Sequence, residues 1–206
     1  MAPWLATTVG VTLLMAIVQV MLTFGLMNPN FSYANFAQYF TIQSNILCSL
    51  FFLYRWSPAL RRRPMHDRTY DYVRGGLVLF MSQTTFVYWA VLQNLFVIPD
   101  SLTYATIAYL HSGAFIFLLI DYAVQPPKTQ VSVSQAISWL AYPLLYAAWI
   151  YAAAPFRGWY PYPFMDPVKS GSVSAVIINN AVLLVIMGAV AMGVRWLHNA
   201  WFRRLY

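Results

Sequence analysis

WLATTVGVTLLMAIVQVMLTFGLM, residues 4–27, runs for 24 positions without a charged side chain. A helix rising 1.5 Å per residue needs about 20 mostly apolar residues to cross bilayer hydrocarbon. In that medium each backbone N–H and C=O must find its partner inside its own helix. The stretch lacks the two-residue alternation of a barrel strand. It also lacks a basic n-region and a cleavage site, and it is too long for a signal-peptide core, so it reads as a retained first span.

Five further segments share this character: 36–55, 73–97, 104–123, 135–154 and 172–197. Of the 206 residues, 61% are hydrophobic and only 8% charged, against roughly 25% charged in ordinary soluble domains. All five acids are Asp, at 67, 71, 100, 121 and 166, and Glu is absent. The expected fold is an all-α membrane protein, a six-transmembrane-helix bundle forming a single domain over residues 1–206. No internal repeat stands out, which weighs against an inverted-repeat transporter.

Orientation follows from basic residues in short loops. Arg55, Arg61, Arg62, Arg63, Arg68, Arg74, Lys128, Arg195, Arg203 and Arg204 fall on one side, and Arg157 and Lys169 on the other. Both termini are therefore expected to be cytoplasmic. The net charge of +7 is explained by topology and anionic-lipid contact, so membrane lipids are expected partners and nucleic acid is not. Cys48 is the only cysteine, which leaves no intramolecular disulfide and no Cys-based metal site.

The second span, FAQYFTIQSNILCSL at 36–50, is the least apolar of the six. Thr41, Ser44, Asn45 and Cys48 follow i, i+3, i+4, i+7 and share one helical face. At 1.5 Å per residue, Thr41 and His111 both lie on the order of 10 Å below the outer boundary. Gln19, Gln93, Asn94, Asn179 and Asn180 fall at a similar level, as a buried polar cavity in the outer half requires. His111 is the one histidine expected inside the membrane. A lone imidazole supports neither bis-histidine haem nor zinc, and no intramembrane lysine exists for a Schiff base. No cofactor is expected.

A hydroxyl and an imidazole remain. A neutral imidazole that accepts a Thr or Ser proton makes the oxygen a nucleophile toward an ester carbonyl. Asn45, Asn94 and Asn179 are candidates for orienting the ring or holding the developing oxyanion. Ser44 and Ser112 are rival hydroxyls on spacing alone. Thr41 bonded back to its own helix, with His111 bridging two helices, fits the same pairing logic.

Three segments carry a resemblance: Phe40-Thr41-Ile42-Gln43-Ser44-Asn45, the run HSGAFIFLLID from His111 to Asp121, and Gly158-Trp159-Tyr160-Pro161-Tyr162-Pro163-Phe164-Met165-Asp166. In this order the chain resembles the androgen-induced family of integral membrane proteins, which includes threonine hydrolases of fatty acid esters of hydroxy fatty acids. The resemblance implies Thr41 as nucleophile, His111 as the essential histidine, a fatty acyl ester as substrate and, through the family's bacterial branch, the bacterial cytoplasmic membrane. Where the animal hydrolases carry an Asp three residues after the threonine, this chain has Ser44.

The aromatic outer stretch has two readings. Trp159, Tyr160, Tyr162 and Phe164 suit an interfacial anchor belt. Pro161 and Pro163 forbid regular helix there, which also suits a lid over the cavity mouth. Asp121 is expected to pair with an arginine of the second connection or to be solvated at the inner interface, rather than to be catalytic. The sequence thus points to a lipid-ester hydrolase, with a non-catalytic lipid-binding or scaffolding membrane protein as the alternative. Oligomeric state is not legible in it.

Overall fold

The computed structural model describes residues 3–54, 65–95 and 98–206. Among them every regular element is helical and no strand occurs. Helix α1 covers Pro3–Met27, α2 Tyr33–Phe36, α3 Phe40–Tyr54 and α4 Asp67–Val87, which continues into a π-helical turn at Tyr88–Leu92. Helix α5, Ser101–Ala108, passes through a second π turn, Tyr109–Gly113, into α6, Ala114–Val124. Helices α7 (Val133–Ser138), α8 (Ala141–Arg157) and α9 (Val173–Leu205) complete the chain, with a 3₁₀ turn at Pro163–Met165.

Five helical stretches are long and apolar enough to cross a membrane: Trp4–Met27, Asp67–Leu92, Ser101–Val124, Val133–Arg157 and Val173–Leu205. They are compatible with a multi-pass membrane protein. Their outward faces carry Trp4, Met15, Leu145, Trp149, Ile177 and Val185, all more than half exposed, as lipid-facing surfaces would.

The expected second span differs. The chain breaks at Ala37–Tyr39, and the described part of α3 runs for 15 residues, Phe40–Tyr54. Side-chain amides stabilise the break. Gln38 Nε2 donates to the Ala34 carbonyl at 3.0 Å and Gln43 Nε2 to the Ala37 carbonyl at 3.3 Å. Gln38 therefore belongs to the connection. Arg55, Arg61, Arg62, Arg63 and Pro64 of the basic cluster lie outside the described residues.

Helix α4 is the central pillar, with α3, α6 and α9 packed around it, and α1 lies against α3 and α5. Gly10 allows the α1–α3 approach: a Cβ there would sit 3.0 Å from the Ser49 carbonyl oxygen, the close contact that small residues permit between membrane helices. Helix α8 follows a break at Trp139–Leu140. Pro143 causes it, having no N–H to return to the Trp139 carbonyl. Among the described residues no other helix makes an extended close approach to the backbone of α8; its aromatic side chains hold it off the bundle. Tyr142 and Tyr146 meet Phe40 at ring separations of 5.4 and 5.2 Å, and Tyr142 meets Phe80 at 4.8 Å.

A buried ion cluster ties the opposite end together. Arg74, which the sequence reading counts among the topology-setting cations, is 0% exposed. Its guanidinium donates to Asp71 at 2.9 Å, to Asp121 at 3.3 Å and to the Gln125 carbonyl at 2.6 Å. Asp121 also accepts from Tyr70 at 2.9 Å, and Asp71 Oδ2 accepts from both N–H and O–H of Thr129. Each charge is thus opposed and hydrogen-bonded, as burial demands.

Candidate active site

Thr41 is the second residue of α3, so its amide is one of the donors that a helix start leaves without an intrahelical partner. Its Oγ1 lies 3.3 Å from His111 Nε2. The imidazole belongs to the π turn of the α5–α6 helix. Amides there reach back five residues rather than four, a widening that recurs at functional sites. His111 Nδ1 sits 2.7 Å from the Ile107 carbonyl. A carbonyl only accepts, so Nδ1 carries the proton in the neutral ring and Nε2 presents its lone pair to the Thr41 hydroxyl.

Three residues fix this arrangement. The Tyr88 ring stacks on the imidazole, with centroids 3.8 Å apart and planes 20° apart. Thr85 Oγ1 donates to the His111 carbonyl. Asn45 Nδ2 donates at 2.8 Å to both the Thr41 and the Leu110 carbonyls, joining α3 to the His111 turn. Both amide hydrogens are thereby engaged, which leaves Asn45 no donor for an oxyanion. Trp89 Nε1 donates to Ser112 Oγ at 2.8 Å, so that hydroxyl is engaged on another contact. Ser44 is fully buried and makes no hydrogen bond to His111.

A cavity of about 250 Å³ opens beside Thr41, its walls mostly apolar. Gln83, Thr84 and Val87 of α4, Leu144 and Tyr146 of α8, and Asn180 and Met187 of α9 line it. It occupies the space that the stand-off of α8 creates, between that helix and α9. The segment from Trp159 to Phe164 closes one end. Tyr162 Oη accepts from the Thr41 amide at 3.5 Å, and the Tyr162 and Phe164 rings stack at 5.2 Å. Both line the cavity, while Trp159 packs on Tyr39 and Tyr160 on Tyr151 away from it. Burial pushes the Tyr162 phenol up to about 12, so it stays protonated at neutral pH.

The remaining polar residues do not form one layer. Asn94 is exposed beyond the first π turn, and Asn179 is not in the cavity wall. Its neighbour Asn180 is, with Nδ2 on Tyr151 Oη at 2.8 Å. Gln19 turns to Thr23 and Thr103 in a separate contact between α1 and α5. Tyr88, Thr85, Gln83 and Tyr146 escaped the sequence reading. The usable signal was phenol hydroxyls within otherwise apolar spans, since a buried Tyr usually finds a polar partner. Among the described residues no group of three His, Cys, Asp or Glu side chains could hold a metal ion. Compared with protein-family models, curated proteins and solved structures, the chain matches none of them.

Proposed function

We propose that this chain is a six-span integral membrane hydrolase of fatty acyl esters, with α3 as the sixth span and both termini cytoplasmic, in a bacterial cytoplasmic membrane. The observation that carries the reading is the 3.3 Å contact between Thr41 Oγ1 and an imidazole whose other nitrogen is committed to a carbonyl. That arrangement gives a hydroxyl a general base in the correct tautomer without a carboxylate. The resemblance to the androgen-induced family supports the same pair.

The ester lies in the apolar cavity, having come in from the lipid between α8 and α9. Thr41 Oγ1 attacks the carbonyl carbon, its proton passes to His111 Nε2, and the carbonyl π electrons move onto oxygen. Collapse of that intermediate re-forms C=O and breaks the bond to the alcohol oxygen, which takes the proton from His111. Water then attacks the acyl-threonine, giving up a proton to Nε2; release of the acid returns that proton to Thr41. Tyr162 and Phe164 serve as part of a lid, and the ring-on-ring contact of Tyr88 keeps the base in register. No cofactor enters the cycle.

The test is labelling of the detergent-solubilised full chain by a fluorophosphonate. Labelling is expected in wild type, lost in Thr41→Ala and strongly slowed in His111→Ala. Undiminished labelling of Thr41→Ala removes Thr41 from the role. The mostly apolar cavity also suits a non-catalytic lipid-binding protein; retention of a fatty acyl ester uncleaved by wild type would favour that reading.

A further inference from the structure

A threonine attack on an ester needs donors for the oxyanion, and none of the three asparagines considered for that role is placed to supply one. Two phenols are. Tyr146 and Tyr162 line the same cavity wall as Thr41, from α8 and from the segment between Trp159 and Phe164. Other phenols of the bundle have partners, Tyr70 with Asp121, Tyr122 with His198 and Tyr142 with Gln43, while the Tyr88 hydroxyl is buried without one but lies outside the cavity wall. The Tyr146 hydroxyl, in a residue only 9% exposed, makes no hydrogen bond of good geometry, with the Phe40 backbone and the Tyr162 hydroxyl beside it. A buried unpaired hydroxyl is costly to keep, and one at a cavity wall suits a ligand acceptor that completes its hydrogen bonding. The ring is fixed by its edge-on contact with Phe40, the residue before the nucleophile, at 5.2 Å. Tyr162 is held by Tyr39 at 5.6 Å and reaches the Thr41 amide only at 3.5 Å. That distance is long for a hydrogen bond, so both groups remain able to strengthen a contact to a third atom.

We propose that the Tyr146 and Tyr162 hydroxyls, together with the Thr41 amide, form the oxyanion hole of this site and recognise the carbonyl oxygen of the ester. The proposal rests on the hydrolase reading. The three donors approach from two phenols and a helix start, and the positive end of α3 adds to them. In the attack described above, the carbonyl oxygen gains the electron pair and accepts these hydrogen bonds, and no proton moves to it. A neutral phenol donates throughout. The alcohol part of the substrate is left free of this contact, so selectivity on that side falls to the lipid-facing end of the cavity.

The experiment measures turnover of a long-chain p-nitrophenyl ester by the full chain in detergent, with wild type, Tyr146→Phe, Tyr162→Phe, the double variant and Thr41→Ala. Each single Phe variant is expected to lower kcat about 100-fold, the scale seen when one oxyanion donor is removed, with KM little changed. A second measurement compares a long-chain trifluoromethyl ketone, whose adduct with Thr41 carries the oxyanion, with the matching ether. The Phe variants are expected to weaken the ketone alone. Equal weakening of ketone and ether, or a double variant with wild-type kcat beside an inactive Thr41→Ala, overturns the oxyanion hole and leaves the hydrolase reading standing. A wild-type chain that neither turns over the ester nor binds the ketone overturns both.

Discussion

Tyr88 and His111 lie ring on ring, 3.8 Å between centroids, each within a π-helical turn of a different membrane-length helix. Two widened turns thus face each other at the level of the candidate base. The stack uses the ring face, and the Tyr88 hydroxyl is buried without a partner.

Tyr88→Phe is therefore expected to keep ester turnover near wild type, since only an unpaired hydroxyl is lost. Tyr88→Ala is expected to reduce kcat about tenfold, because an aromatic pair is worth roughly 0.5–1.5 kcal/mol beyond its buried area. Steady-state kinetics on the two variants check this; an equal loss in both would mean the hydroxyl matters and the stack does not.

Asn45 bridges α3 and the His111 turn through two carbonyls, so Asn45→Ala is expected to cost about 1–3 kcal/mol by removing two buried hydrogen bonds of about 0.5–1.5 kcal/mol each. Thermal unfolding in detergent, followed by tryptophan fluorescence, measures it. Turnover should fall as well, because the Leu110 carbonyl it holds immediately precedes His111.

Arg74→Met is expected to destabilise the fold by about 3–5 kcal/mol, since Asp71 and Asp121 would remain buried with their shared cation gone. Arg74→Lys should recover only part of this, because a single ammonium does not reproduce a fork that reaches two carboxylates and the Gln125 carbonyl. Unfolding midpoints of the three proteins decide the matter; a Lys variant equal to wild type would show that charge alone suffices.

Asp100 caps α5, and the Thr103 amide, then the Thr103 hydroxyl, hold its carboxyl below the usual carboxylate range. The sign follows: a lowered folded-state pKa gives stability that is fully present above the unfolded value of about 3.9 and lost as pH falls through the lower folded one. Asp100→Asn keeps a cap oxygen without a titrating charge. Unfolding midpoints taken from neutral to acid pH should show a shallower decline in that variant than in wild type.

Much of the helix plan is legible in hydropathy. The long stretches Trp4–Met27 and Ser101–Val124 lie close to their expected bounds, because a run of apolar residues in lipid has few alternatives to helix. The break at Ala37–Tyr39 is not legible, since the amides of Gln38 and Gln43 read equally well as intrahelical polar residues. Charge counting does not reveal the burial of Arg74 for a related reason: composition does not tell a cation at the rim from one enclosed by two aspartates, although the pairing of Asp121 with an arginine of that region is legible. At the site, Thr41 and His111 stand out by residue type and depth. Tyr88 and Tyr146 do not, since aromatic residues in a span look like packing. The π turns themselves leave no compositional mark.

The break at Ala37–Tyr39 has a consequence for hydration. In bilayer hydrocarbon an irregular stretch of backbone is tolerated only where protein buries it or where it lines a water-filled space. Thr41 stands two residues past that break, so the proposed nucleophile would share whatever water serves the connection. Solvent access for deacylation would then be governed by the same residues that start α3.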